Sequence, residues 1–131
     1  MKALKVILWI CGISFLISFV ALVLPWGVIE NLYRFFGEEP IVASATANYS
    51  FRVACFIVGL IGIYFIILAL DPATYRRLIG FSAIALIACG VASVIIGLNA
   101  GIAPQFYIGD GLFGIVLGGL LAIFNKSNIA G

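Results

Sequence analysis

Histidine is absent from this 131-residue chain, and only 9% of its residues are charged. The first absence removes histidine-ligated haem, a histidine general base and imidazole-rich metal sites from consideration. The second removes a water-soluble fold. A chain this small needs a polar surface, and seven basic with five acidic side chains cannot cover one. Net charge is only +2 and no basic stripe is present, which argues against nucleic acid as a partner. The three cysteines, Cys11, Cys55 and Cys89, lie far apart and form no C-x-x-C pair. Neither a disulfide framework nor a thiol–quinone relay is therefore available. No nucleophile–base pair and no metal-ligand cluster stand out, so the sequence implies no cofactor and no self-contained catalytic centre.

What remains is apolar: 65% of the residues are hydrophobic. A membrane-crossing helix needs about 20 mostly apolar residues. Four segments qualify, at about 4–24, 51–70, 78–98 and 105–125. Their runs are continuous rather than alternating, so helices are expected and a β-barrel is not. The fold class read from this pattern is all-α, a four-helix bundle integral to a membrane, with residues 1–131 forming one transmembrane domain. Pro25 halts the first segment and Asp71-Pro72 the second. The fourth reaches spanning length only if Asp110 lies inside it.

Basic residues set the expected orientation. Lys2, Lys5, Arg76, Arg77 and Lys126 fall on the side of both termini, whereas Arg34 and Arg52 fall on the other. This predicts both termini on the cytoplasmic side and a first helix retained as a signal-anchor, in the cytoplasmic (inner) membrane of a bacterium. The first outer loop, 25–50, is long. Its Trp26, Ile29, Leu32, Tyr33 and Phe36 share one face of a helix suited to the plane of the membrane interface. Glu30 and Arg34, four apart, are expected to pair across a turn. Glu38-Glu39-Pro40 then begins an extended, solvated stretch. The segment reads either as a lid over the bundle or as an ordinary connector.

Small residues mark close helix approach. Gly111, Gly114, Gly118 and Ala122 form a stripe on the fourth helix. Cys89, Ser93 and Gly97 form one on the third, and Cys11, Ser14, Ser18 and Ala21 one on the first. Tyr64, deep in the second helix, needs a hydroxyl partner, and Ser82, Ser93, Ser14 or a backbone carbonyl could serve.

Ionisable groups within spanning segments are costly unless paired or wetted. Arg52 at the head of the second helix and Asp110 in the outer third of the fourth are therefore expected to face each other at the bundle mouth. Tyr107 sits at similar depth, and Glu30 and Arg34 could close over the pair. This pair either fixes helix packing or forms a pocket for a small polar ligand, anion or lipid headgroup.

Arg52, the glycines at 59 and 62, the Leu70-Asp71-Pro72-x-x-Tyr75 turn and the acid Asp110 together resemble the small bacterial DoxX-like four-helix membrane proteins, over most of residues 50–125. The resemblance implies the four-helix fold. It also implies kinship with proteins of which some associate with oxidoreductase complexes or quinone chemistry. The expected function is an accessory or structural subunit of a larger membrane complex, contributing helix packing and a lipid or quinone contact. Its partners would be membrane lipids and other membrane subunits or further copies of itself. The alternative is a protein that binds or transports a small ligand, lipid or anion through an outer pocket of Arg52, Asp110, Glu30, Arg34 and Tyr107.

Overall fold

The structure, a computed structural model, describes residues 1–39, 42 and 44–127. Among the described residues all regular structure is helical. Helix α1 spans Lys2–Val23 and contains a 3-10 turn over Ile17–Phe19. It is followed by α2 (Trp26–Phe35), α3 (Ala45–Leu70), α4 (Arg76–Ala100) and α5 (Pro104–Ser127). Helices α1, α3, α4 and α5 are long and apolar enough to cross a membrane.

The boundaries follow local chemistry. Leu24 is extended because it precedes Pro25, and α1 ends there. Helix α2 closes at Gly37, which takes a positive φ of 81° while the Gly37 and Glu38 amides donate to Arg34 and Tyr33 carbonyls. Helix α3 begins earlier than hydropathy predicts, at Ala45 rather than near Phe51. The reason is a cap: the Ser44 hydroxyl accepts from the Ala47 amide at 3.0 Å, so a polar first turn precedes the apolar run. The connection from α2 is correspondingly shorter. Pro40, where an extended stretch was expected to begin, lies outside the described residues. Asp71 shapes the next turn by accepting from the Thr74 hydroxyl at 2.7 Å and the Thr74 amide at 3.3 Å. Pro104 opens α5, where a missing amide proton costs nothing.

The spanning helices form two tight pairs, α1 with α3 and α4 with α5. Each pair rests on glycine. A Cβ on Gly62 of α3 would stand 2.7 Å from the Leu16 nitrogen and 2.8 Å from the Gly12 carbonyl of α1. A Cβ on Gly114 of α5 would stand 2.7 Å from the Leu86 carbonyl and 2.9 Å from the Gly90 Cα of α4. The expected stripe of Gly111, Gly114 and Gly118 does face α4, but Ala122 is exposed and Leu121 is buried instead.

The buried core holds the two pairs together at one end only. Leu4, Leu8, Cys11, Phe65, Leu68, Ile79, Leu86 and Leu121 all belong to it. Every member of this cluster lies in the half of its helix nearest the start of α1 and the end of α5. Polar links reinforce that end. The Tyr64 and Ser82 hydroxyls are 2.9 Å apart, and Ser82 donates to the Leu78 carbonyl at 2.8 Å, so Tyr64 is the donor to Ser82. Arg76 donates to the Asn125 carbonyl at 3.0 Å, and the Asn125 amide group donates back to the Arg76 carbonyl at 3.2 Å.

Candidate functional site

Toward the opposite end the two pairs diverge, and a cleft of about 430 Å³ opens between them. Its walls come from all four spanning helices: Ser14 and Ser18 of α1, Val58 of α3, Cys89 and Ser93 of α4, and Asp110 of α5. Serines at these positions leave the space that leucines fill at the other end. Phe15 and Phe113 meet edge to face at 5.6 Å, and Phe15 stacks on Phe65 at 5.7 Å. These rings form an apolar floor between the cleft and the core.

Asp110 lies about 9 Å along α5 from its first residue, at a 1.5 Å rise per residue. It is exposed to the cleft and has no hydrogen-bond or ion-pair partner among the described residues. It also walls two smaller recesses. One of about 320 Å³ includes Phe36, Gln105 and Phe106, and one of about 230 Å³ includes Ser93, Gly97 and Tyr107. The carboxylate thus stands where three cavities meet. An isolated carboxylate at such depth is unfavourable until water, a proton or a cation neutralises it. Three serine hydroxyls nearby can donate to it or to a bound group.

Arg52 does not share this site, contrary to the expectation from sequence depth. Its Nε donates to Asn48 Oδ1 at 2.6 Å, and its Nη2 to the Leu24 carbonyl at 3.1 Å. Its Nη1 donates to the carbonyls of Ala21, at 3.4 Å, and Leu22. The cause is at the end of α1. The final carbonyls of a helix lack intrahelical donors, and Pro25 removes the amide that would have served Ala21. A guanidinium from the neighbouring helix supplies those donors and complements the helix dipole. Arg52 is therefore a cap joining α3 to α1.

No family model, characterised protein or solved structure matches this chain. The site is thus read from its own residues. Of those singled out from sequence, Asp110 and Tyr107 come together, the Tyr107 ring packing over Gly97 and walling a recess with Asp110. Glu30 is half-buried and Arg34 exposed; they form no ion pair with each other, and neither lines the three cavities at Asp110. Ser14, Ser18, Ser93 and Phe113 were not expected as site residues. The four-residue spacing of Ser14 and Ser18 was a visible signal, but small residues at that spacing signal helix packing equally well.

Helix α2 packs against the start of α5, and Phe36 at its end walls one of the recesses at Asp110. Tyr33 stacks on Phe106 at 5.2 Å, and Phe36 meets the same ring edge-on at 5.5 Å. Burial there pushes the Tyr33 hydroxyl above its ordinary pKa, with a smaller contribution from Cys55. Glu38, expected to be solvated, instead accepts from the Ala103 amide just before α5. This ties the segment after α2 to the start of the helix that carries Asp110.

Proposed function

We propose that this chain is a membrane protein that binds a small organic cation in the cleft, with Asp110 as its anchor. One observation carries the reading: a carboxylate without a partner among the described residues stands where three cavities meet between helix pairs whose shared buried core lies at the far end. The removal of Arg52 from the site turns the expected preference from anions to cations. In this reading Ser14, Ser18 and Ser93 donate or accept hydrogen bonds around the ligand, and Tyr107 closes one side.

The protein sits in a bacterial cytoplasmic membrane with both termini inside and α2 along the outer interface. The distribution of basic residues and the apolar face of α2 support that placement. It makes the cleft accessible from outside. The likeness to DoxX-like proteins is consistent with the same architecture.

A second reading, an accessory subunit of a larger complex, draws support from α4. There the exposed Ala88 and Ala92, four residues apart, offer small side chains on which another helix could pack.

Carbodiimide modification of the protein in phosphatidylcholine nanodiscs separates the two readings. Tetramethylammonium chloride, which has no nucleophilic nitrogen, should slow modification of Asp110, read by mass spectrometry, while sodium chloride at equal ionic strength should not. An Asp110 modification rate indifferent to tetramethylammonium would refute the binding reading.

A further inference from the structure

Beneath α2 lies a second chamber, of about 210 Å³, whose walls are almost wholly apolar. Ala21 of α1 and Leu24 just beyond its end, Ile29 and Leu32 of α2, Phe51 of α3 and Phe106 of α5 line it. An apolar chamber of this kind excludes water, and an empty one forfeits dispersion contacts along its walls. It also adjoins the site at Asp110. Phe36 and Phe106 wall both this chamber and the recess that contains Gln105 and Asp110. A polar anchor and a dry slot thus stand on opposite sides of one aromatic pair.

We infer that the ligand is a single-chain cationic amphiphile, its ammonium head at Asp110 and its aliphatic tail in the chamber under α2. This rests on the reading of Asp110 as a cation anchor and adds the class of molecule. Head and tail are each matched by their walls: a lone carboxylate with serine hydroxyls for the one, aliphatic and aromatic side chains for the other. A doubly acylated lipid has one tail too many for a chamber of this size. A small hydrophilic cation would leave the chamber empty. The clamp from Glu38 to the Ala103 amide keeps α2 over the tail once it is seated.

Photolabelling of the full chain in phosphatidylcholine nanodiscs tests the inference. One probe is dodecylammonium with a diazirine at the tail end; the other is butylammonium with the same group. The long probe should label chamber residues, Phe51 and the buried Ile29 among them, and unlabelled dodecylammonium should compete. Asp110→Asn should lower that labelling at least tenfold. Ala21→Phe, which fills the chamber from α1, should do the same while leaving butylammonium labelling around Ser93 and Phe113 intact. Leu32→Trp fills the chamber from the α2 side and serves if the Ala21 variant does not fold. If butylammonium labels the cleft but the long probe labels only outward residues such as Phe81 and Ile123, the inference fails and the cation site stands. If neither probe labels the cleft, both fail.

Discussion

The separation of Arg52 from Asp110 can be measured as a coupling energy. Arg52→Met keeps the length of the side chain and removes every donor. The structure shows that this strips the end of α1 of its cap: the Leu24 and Asn48 contacts, at 3.1 and 2.6 Å, and those to Leu22 and Ala21. Hydrogen bonds from a charged donor contribute about 1.5–3 kcal/mol each, though bonds to one guanidinium are not additive. Arg52 is only half-buried, so the whole set is expected to contribute about 2–3 kcal/mol. Asp110→Asn removes an unpartnered charge and should leave stability unchanged or slightly raised. The double variant should then be additive to within about 0.5 kcal/mol. The pair Arg52 and Asn48, in direct contact, should couple by at least about 0.5 kcal/mol in the same assay. The measurement is equilibrium unfolding in dodecyl sulfate mixed micelles followed by tryptophan fluorescence. A coupling between Arg52 and Asp110 above about 1 kcal/mol would show that the two charges are partners and that the site has been misassigned.

Two further outcomes follow from the packing and the turns. Gly114→Ala places a Cβ 2.7 Å from the Leu86 carbonyl, so α4 and α5 must part by about 0.7 Å to reach ordinary contact. Overpacking against backbone should destabilise the bundle by about 1–3 kcal/mol, less up to about 1 kcal/mol of improved helix propensity. Gly119→Ala, with nothing within 4 Å of the added carbon, should instead be neutral or stabilising in the same unfolding assay. Equal effects at the two positions would refute the close approach. At the Asp71 turn, the Thr74 hydroxyl first and its amide second hold the Asp71 carboxyl below the ordinary aspartate value of 3.8. A depressed folded-state pKa contributes stability that is fully present above the unfolded value and lost as pH falls through the folded one. Unfolding midpoints taken downward from neutral pH should therefore decline in acid, and Asp71→Asn should remove that share of the decline.

The spans and the stripe on α5 were legible because they depend on local chemistry: length of apolar run, proline, and glycine spacing. Tyr64 found one of its expected partners, Ser82, because depth along antiparallel helices follows from counting residues. Depth alone could not place Arg52. The positions of residues 52 and 110 along the bundle axis are similar, but which neighbour each faces depends on rotation about the helix axis, and apolar runs facing lipid leave that rotation unmarked. The signal that was present lay elsewhere in the chain. Pro25 leaves the Ala21 carbonyl without its amide partner, and an arginine at the head of the adjacent helix is the nearest strong donor. Ser44 was similarly readable as a cap, but hydropathy places a helix start at its first apolar residue and passes over a polar first turn.

The position of the site follows from the distribution of side-chain volume along the bundle. Where α1 begins and α5 ends, the facing positions are Leu4, Leu8, Leu68, Ile79 and Leu121, which pack into one buried cluster. Toward α2 the facing positions become Ser14, Ser18 and Ser93, and the same helices leave a cleft. In water such a gap would collapse or flood, but between membrane helices apolar burial gives little force to close it, because lipid chains are as apolar as leucine. Small residues on facing helices therefore hold space open at little cost in stability. A carboxylate placed at the edge of that space gives it a chemical preference. The 3-10 turn in α1 lies at Ile17–Phe19, beside the cleft and just before the carbonyls that Arg52 caps. Any widening of the cleft by movement of the end of α1 must therefore carry Arg52 and α3 with it. In such a movement the helix pair would be the unit and the core at the far end its pivot.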